Sequence, residues 1–76
     1  MLNNYKIIEI IEEVIGDKVN NEDINPFDYG LDSLGILRLV TIIEDKFNIE
    51  IDDDDLNIDN MSSISSIIKM VNKYVI

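Results

Sequence analysis

Catalysis or ligand binding needs a nucleophile, a proton donor or acceptor, or a metal ligand, and this sequence is poor in most of these. It has no histidine and no cysteine among its 76 residues. The side chains left for chemistry are carboxylates, a few hydroxyls and the phenols. Among the hydroxyls, Ser33 stands apart. It lies in "YGLDSLGIL", Tyr29 to Leu37, between an acid and a leucine at the start of an apolar run. With no internal base to activate it, Ser33 is not a catalytic nucleophile. Two roles remain. With Asp32 it can cap a helix, accepting orphan backbone N–H groups, an interaction worth about 0.5–2 kcal/mol. Alternatively, it is a handle that another enzyme modifies, bringing its own base. A cap does not need apolar neighbours facing water, yet Leu34 follows immediately and Leu37 comes one turn later. Exposed apolar residues around a helix start suggest a docking surface. The partial positive charge and free N–H groups there would favour a phosphate carried on Ser33.

The remaining acids offer less. Glu12–Glu13 and Glu44–Asp45 are adjacent on helices, so each pair splays apart and forms no acid–base dyad. "IDDDDLNID" invites a calcium reading. An EF-hand loop needs glycine at its sixth position and glutamate at its twelfth, and counting from Asp52 those positions are Asn57 and Ser63. We therefore read a solvated acidic turn and no metal site. No glycine-rich phosphate loop or nucleophile–base pair is present, and the chain is not expected to be an enzyme.

Helices must position Ser33. Residues 3–15 place Ile7, Ile8, Ile11, Val14 and Ile15 on one stripe, with Glu9, Glu12 and Glu13 opposite, and Gly16 supplies a stop. Residues 17–32 read as a long loop, anchored by Val19, Ile24, Phe27, Tyr29 and Leu31. A second helix is predicted over 33–47, with Ile36, Leu39, Val40, Ile43 and Phe47 toward the core and Leu34, Leu37 and Thr41 on another side. Ile49-Glu50-Ile51 is too short for a strand without a partner. It leads into a turn or short helix around Asp53 to Ile58. A last helix over about 63–75 follows Ser62 and Ser63, which can cap it, with Ile64, Ile67, Ile68, Val71 and Val75 inward. The fold class is all-α: a small, monomeric, antiparallel bundle of three to four helices with a long first loop, in a single domain over 1–76. The expected buried set is Ile11, Leu39, Val40, Ile43, Phe47, Ile51, Ile67 and Val71.

Sixteen acidic residues face six basic ones, a net charge of −10. That balance disfavours nucleic acid and anionic membranes and favours basic partners. No stretch approaches the roughly 20 apolar residues of a membrane span, and no signal-peptide core opens the chain. A cytoplasmic location is expected.

The segment "FDYGLDSLGILRLV" resembles the attachment site of carrier proteins, the phosphopantetheine-bearing domains of fatty acid, polyketide and nonribosomal peptide synthesis. The family pattern is an aromatic, an acid, an apolar residue, glycine, any residue, then Asp-Ser-Leu. Phe27, Asp28, Tyr29, Gly30, Leu31, Asp32, Ser33 and Leu34 fill it. The likeness extends over the chain, including the exit Phe47 to Ile51 and the acidic third segment, and implies an acyl-carrier-like bundle. It implies that Ser33 Oγ takes 4′-phosphopantetheine from coenzyme A, with Asp32 helping to position the metal and phosphate of a phosphopantetheinyl transferase. The arm's thiol then holds an acyl or aminoacyl group as a thioester. Leu34, Leu37, Arg38 and Thr41 would form the surface read by partner enzymes, adenylating ligases or synthases.

Two departures bear on the pathway. Fatty-acid carriers usually place acids just after Asp-Ser-Leu, where this chain has Gly35 and then Arg38, a cation that would repel a basic partner patch. Glycine after Asp-Ser-Leu resembles the free-standing aminoacyl and D-alanyl carriers, and the Phe27 spacing resembles the peptidyl form. The expectation leans to a stand-alone carrier with a dedicated adenylating enzyme, with fatty acid synthesis as the alternative. In a different class stands an unmodified acidic helical adaptor for a basic protein, which explains the charge but not the attachment pattern.

Overall fold

The structure is a computed structural model that describes the backbone of residues 2–75 and the side chains of residues 4–75. Four α-helices follow one another: α1 (Leu2–Ile15), α2 (Ser33–Phe47), α3 (Ile58–Met61) and α4 (Ile64–Asn72). Two 3-10 turns, Pro26–Tyr29 and Asp53–Asp55, lie in the connections, and no strand occurs among the described residues. α1 packs against α2 and α4, and α3 lies on α4. Asn72 Nδ2 donates to Asn4 Oδ1 at 3.1 Å, so the end of α4 meets the start of α1 and these two helices run antiparallel. The all-helical expectation holds.

One core joins the helices. Ile7, Ile10 and Ile11 of α1 meet Leu39, Val40 and Ile43 of α2 and Ile64, Ile67, Ile68, Met70 and Val71 of α4, with Ile51 and Met61 closing the end. Of the eight residues expected to be buried, seven are. Phe47 is the exception: its ring is half-buried and packs against the cluster from the rim. The reason is position, because Phe47 is the last residue of α2 and Asn48 turns the chain away in the left-handed conformation (φ 54°). Ile10, Met61 and Met70 are core residues that neither the helix stripes nor the expected buried set contained. Ile10 widens the α1 stripe because that helix faces two neighbours rather than one. The last helix ends at Asn72, three residues short of the expected 75.

Two glutamates secure the helix exits. Val19 N donates to Glu12 Oε2 and Ile51 N to Glu44 Oε2, both at 2.8 Å. Each thereby satisfies a backbone donor seven residues on. These bonds use one carboxylate of each adjacent acid pair. The acidic run is likewise tied down. Asp52 caps its own turn through Asp54 N, and Asp55 accepts from the Tyr74 hydroxyl and from Lys73 Nζ at 3.2 Å. Tyr74 Oη in turn accepts from Asp52 N at 3.1 Å.

The start of α4 spends most of its polar groups, the Ser65 hydroxyl being the exception. Ser63 is the N-cap and forms a reciprocal capping box with Ser66. The Ser66 hydroxyl also reaches Asn60 O at 2.8 Å, and the Ser62 hydroxyl donates to Asp59 O at 2.9 Å. The long loop supplies the rest, with Ile64 N donating to Ile24 O and Ser65 N to Glu22 O. The loop is therefore held by the helix it satisfies.

Candidate functional site

The approach to Ser33 is built by turn chemistry. Asn25 caps the first 3-10 turn, its Oδ1 accepting from Phe27 N at 2.9 Å. Pro26 sits at the first turn position with its ring fully buried, where its missing N–H costs nothing. Gly30 closes the turn at φ 92°, a conformation that a side chain would strain. The chain then drops Leu31 into the interior, 6% exposed, and returns Asp32 and Ser33 to the surface. Of the expected loop anchors, Val19, Ile24, Phe27 and Leu31 pack inward. Tyr29 does not: it is 41% exposed, and Pro26 fills the interior position instead.

Asp32, not Ser33, is the N-cap of α2. Asp32 Oδ1 accepts from Gly35 N at 2.8 Å, and Asp32 O accepts from Ile36 N at 2.8 Å. Ser33 is the first helical residue, and the capping role read for it belongs to its neighbour. The consequence is chemical. Ser33 is exposed, and none of the side-chain hydrogen bonds among the described residues uses its hydroxyl. Ser33 N and Leu34 N find no acceptor among the described residues either, so the first turn of α2 presents two donors and a free hydroxyl. That arrangement suits an anion attached at Oγ, because donors and helix dipole point the same way.

Gly35 has a structural reason to be glycine. A Cβ built there would lie 2.7 Å from Leu31 Cδ1 and 3.4 Å from Asp32 Oδ1. The buried leucine of the turn occupies the space above the helix, so loop and helix interlock at the site. The sequence ties Gly35 only to carrier type; its packing against Leu31 joins loop to helix and leaves no local pattern.

Leu34, Leu37, Arg38 and Thr41 fall at i, i+3, i+4 and i+7, one face of α2 beside Ser33. All four are exposed, with Leu34 at 71% and Leu37 at 62%. Thr41 Oγ1 donates to Leu37 O at 2.7 Å, so its hydroxyl is satisfied within the helix. Ile58, at the start of α3, is 75% exposed. Its signal in the sequence is slight, an isolated isoleucine among Asn57, Asp59 and Asn60. No helix among the described residues is long and apolar enough to cross a membrane.

The fold and the free hydroxyl agree with what the chain matches. The family model described as "Phosphopantetheine attachment site" matches residues 6–71. The acyl carrier protein of Buchnera aphidicola subsp. Baizongia pistaciae (strain Bp) is 38% identical over 73 residues, covering 92% of this chain and 91% of that protein. No solved structure matches. An unmodified adaptor, which the charge alone allowed, has no place for such a match, and the cofactor is covalently attached 4′-phosphopantetheine. The chain belongs to the phosphopantetheine-bearing carrier family: it is a non-catalytic carrier of acyl groups, a substrate for phosphopantetheinyl transferase and for synthetic enzymes.

Proposed function

We propose that Ser33 Oγ is the attachment point of 4′-phosphopantetheine, and that Asp32 helps a transferase place its metal ion and phosphate. The observation that carries this reading is the exposed, unbonded hydroxyl at a helix start whose first donors are free. The phosphopantetheinyl group of coenzyme A would pass to Ser33 Oγ with departure of adenosine 3′,5′-bisphosphate. The serine proton would go to a base of the transferase, since this chain has no histidine or cysteine to take it. Asp32 is exposed and holds the first turn through Oδ1, and no side-chain hydrogen bond among the described residues uses its other oxygen, which is left for a metal-bearing partner. Once attached, the arm supplies a thiol that holds cargo as a thioester. Leu34, Leu37, Arg38 and Thr41 are the surface that partners read around that anchor.

Intact mass after incubation with coenzyme A and a broad-specificity transferase tests the assignment. The parent should gain one phosphopantetheine and Ser33→Ala none. An unmodified parent beside an active transferase control would overturn it.

For the pathway, the reading that the surface supports best is a stand-alone monomeric carrier in the cytoplasm, charged with an aminoacyl or D-alanyl group by a dedicated adenylating ligase. Arg38 supports it, as a cation on the face beside Ser33. Gly35 does not help decide, because Leu31 explains it. A fatty-acid role is the second reading, favoured by a relative that is an acyl carrier protein. Thioester formation on holo protein separates them, with adenylating enzymes in one arm and a malonyl transferase in the other. Faster loading by the malonyl transferase would favour the fatty-acid role.

A further inference from the structure

The face of α2 beyond Ser33 holds more than exposed leucines. Leu37, Arg38, Thr41 and Ile42 line a shallow groove of about 260 Å³. Its walls are chiefly carbon, because the Thr41 hydroxyl is already spent on Leu37 O. Arg38 is the one charge on its edge. The residues one turn away on the same helix are Leu34, Gly35, Thr41 and Ile42, so no carboxylate stands at i±3 or i±4 to neutralise it. The ion pair among the described residues is Lys73–Asp55, which does not involve Arg38. A protein with net charge −10 thus keeps an unneutralised cation at the edge of an apolar groove, beside its attachment face.

We infer that this groove is the docking register for a partner enzyme that inserts one apolar side chain between Leu37, Thr41 and Ile42 and sets an aspartate or glutamate against Arg38. The inference rests on the carrier reading and names the chemistry of the partner surface. The acid is informative because most of this surface repels it. The other cations, Lys6, Lys18, Lys46, Lys69 and Lys73, do not line the groove, so Arg38 is the charge there that welcomes a partner carboxylate and thereby fixes the docking register. A second copy of this chain is a poorer occupant, since two molecules of net charge −10 repel each other at low salt.

The test uses ¹⁵N-labelled, full-length holo protein and two helical peptides. One carries a leucine with a glutamate one turn away; the other has lysine in place of that glutamate. At low salt the acidic peptide should shift amides confined to Leu37, Arg38, Thr41 and Ile42. Arg38→Glu should weaken it at least about tenfold, the scale of one interfacial charge pair, and Arg38→Lys should retain most of the binding. The basic peptide should instead perturb acidic surfaces broadly and be indifferent to Arg38→Glu. Absence of localised shifts at millimolar acidic peptide, or equal binding by Arg38→Glu, overturns the inference. So do concentration-dependent shifts at the groove without peptide, which would make a second copy the occupant. Intact mass of the same sample keeps the two readings apart. Loaded protein that ignores the peptide defeats the groove alone, whereas unloaded protein that binds it defeats only the attachment site.

Discussion

The starts of α2 and α4 are built from the same residue types and put to opposite uses. Both open with small polar residues that can cap. At α4, Ser63 and Ser66 close on each other, Ser62 and Ser66 reach α3 carbonyls, and the long loop takes up Ile64 N and Ser65 N. At α2, one aspartate does the capping, and the serine beside it keeps its hydroxyl and the first two backbone donors free. A serine at a helix start caps it where the surroundings consume its hydrogen bonds; where they do not, as at Ser33, the hydroxyl stays free, and the proposed attachment rests on that freedom. Residue type alone does not separate the two; the company each serine keeps does.

Burial gives the largest test of that contrast. Ile67, on α4, is fully buried, whereas Leu37, on α2, is 62% exposed. Ile67→Ala should destabilise by about 2–5 kcal/mol through lost transfer energy and a residual cavity, a large share of the stability of a 76-residue chain. Leu37→Ala should stay within about 0.5 kcal/mol. Phe47→Ala, on a rim position, should cost less than Ile67→Ala despite removing more atoms. Urea unfolding reads all three, and a Leu37 cost near that of Ile67 would show the α2 face to be structural.

The serines themselves come next. Ser63→Ala removes a cap and one half of a capping box and should cost about 0.5–2 kcal/mol. Ser33→Ala removes a hydroxyl that bonds to nothing described, so the apo protein should melt within about 0.5 kcal/mol of its parent. Asp32→Ala should behave like Ser63→Ala. If Ser33→Ala destabilised as much as Asp32→Ala, the hydroxyl would be a second cap and not a free group.

Much of this contrast was legible in the sequence, and the illegible part has one cause. Helix α2 was readable end to end, because the apolar spacing from Ile36 to Ile43 is periodic and Asp32-Ser33 marks its start. The exposure of Leu34 and Leu37 followed from the same wheel. What could not be read were contacts between segments distant along the chain or folded back on each other. Which of Asp32 and Ser33 caps depends on the backbone angle at which the Pro26–Tyr29 turn delivers them. The loop's bonds from Ile24 and Glu22 to α4 span some 40 residues and leave no local pattern. Tyr29 and Pro26 exchanged roles for the same reason: an aromatic is a good guess for an anchor, but the turn's geometry points Pro26 inward.

Gly35 tests how far the two helix starts differ in packing. In an exposed helix interior, Gly→Ala stabilises by about 1 kcal/mol. At Gly35 the new Cβ would meet Leu31 Cδ1 at 2.7 Å, and Leu31 is too buried to swing away freely. Overpacking of that kind costs about 1–3 kcal/mol, so Gly35→Ala should be neutral to mildly destabilising. In a Leu31→Ala background the obstruction is gone and the same change should stabilise. A double-mutant cycle measures the reversal. Gly35→Ala that stabilises in both backgrounds would mean the turn gives way easily and the glycine is not required by packing.

The smallest effect concerns the Asp52–Asp55 turn, which resembles α4's start in spending its polar groups. The Tyr74 hydroxyl, and after it Lys73, holds the Asp55 carboxyl below its ordinary value of 3.8. The same bond to Asp55 holds the Tyr74 phenol above its ordinary 10.0, partly offset by the Asp52 N–H that Tyr74 Oη accepts. The signs follow from linkage. A carboxylate with a lowered folded-state pKa contributes stability above its unfolded value, and that contribution is lost as pH falls through the folded value. A phenol with a raised pKa contributes below its unfolded value and loses the contribution as pH rises through the folded one. Tyr74→Phe deletes the shared bond and keeps the ring. Both side chains are half-buried at the surface, where water still screens the charge, so the difference in melting temperature between parent and variant should be small. It should be flat from about pH 5 to about pH 9 and shrink toward both extremes. Taking the difference cancels the relief of charge repulsion that all the carboxylates share as they protonate. A gap that persists unchanged at pH 2 would show that Tyr74 steadies the acidic turn by some route other than its bond to an ionised Asp55, and the turn would then owe its order to packing at the end of α4.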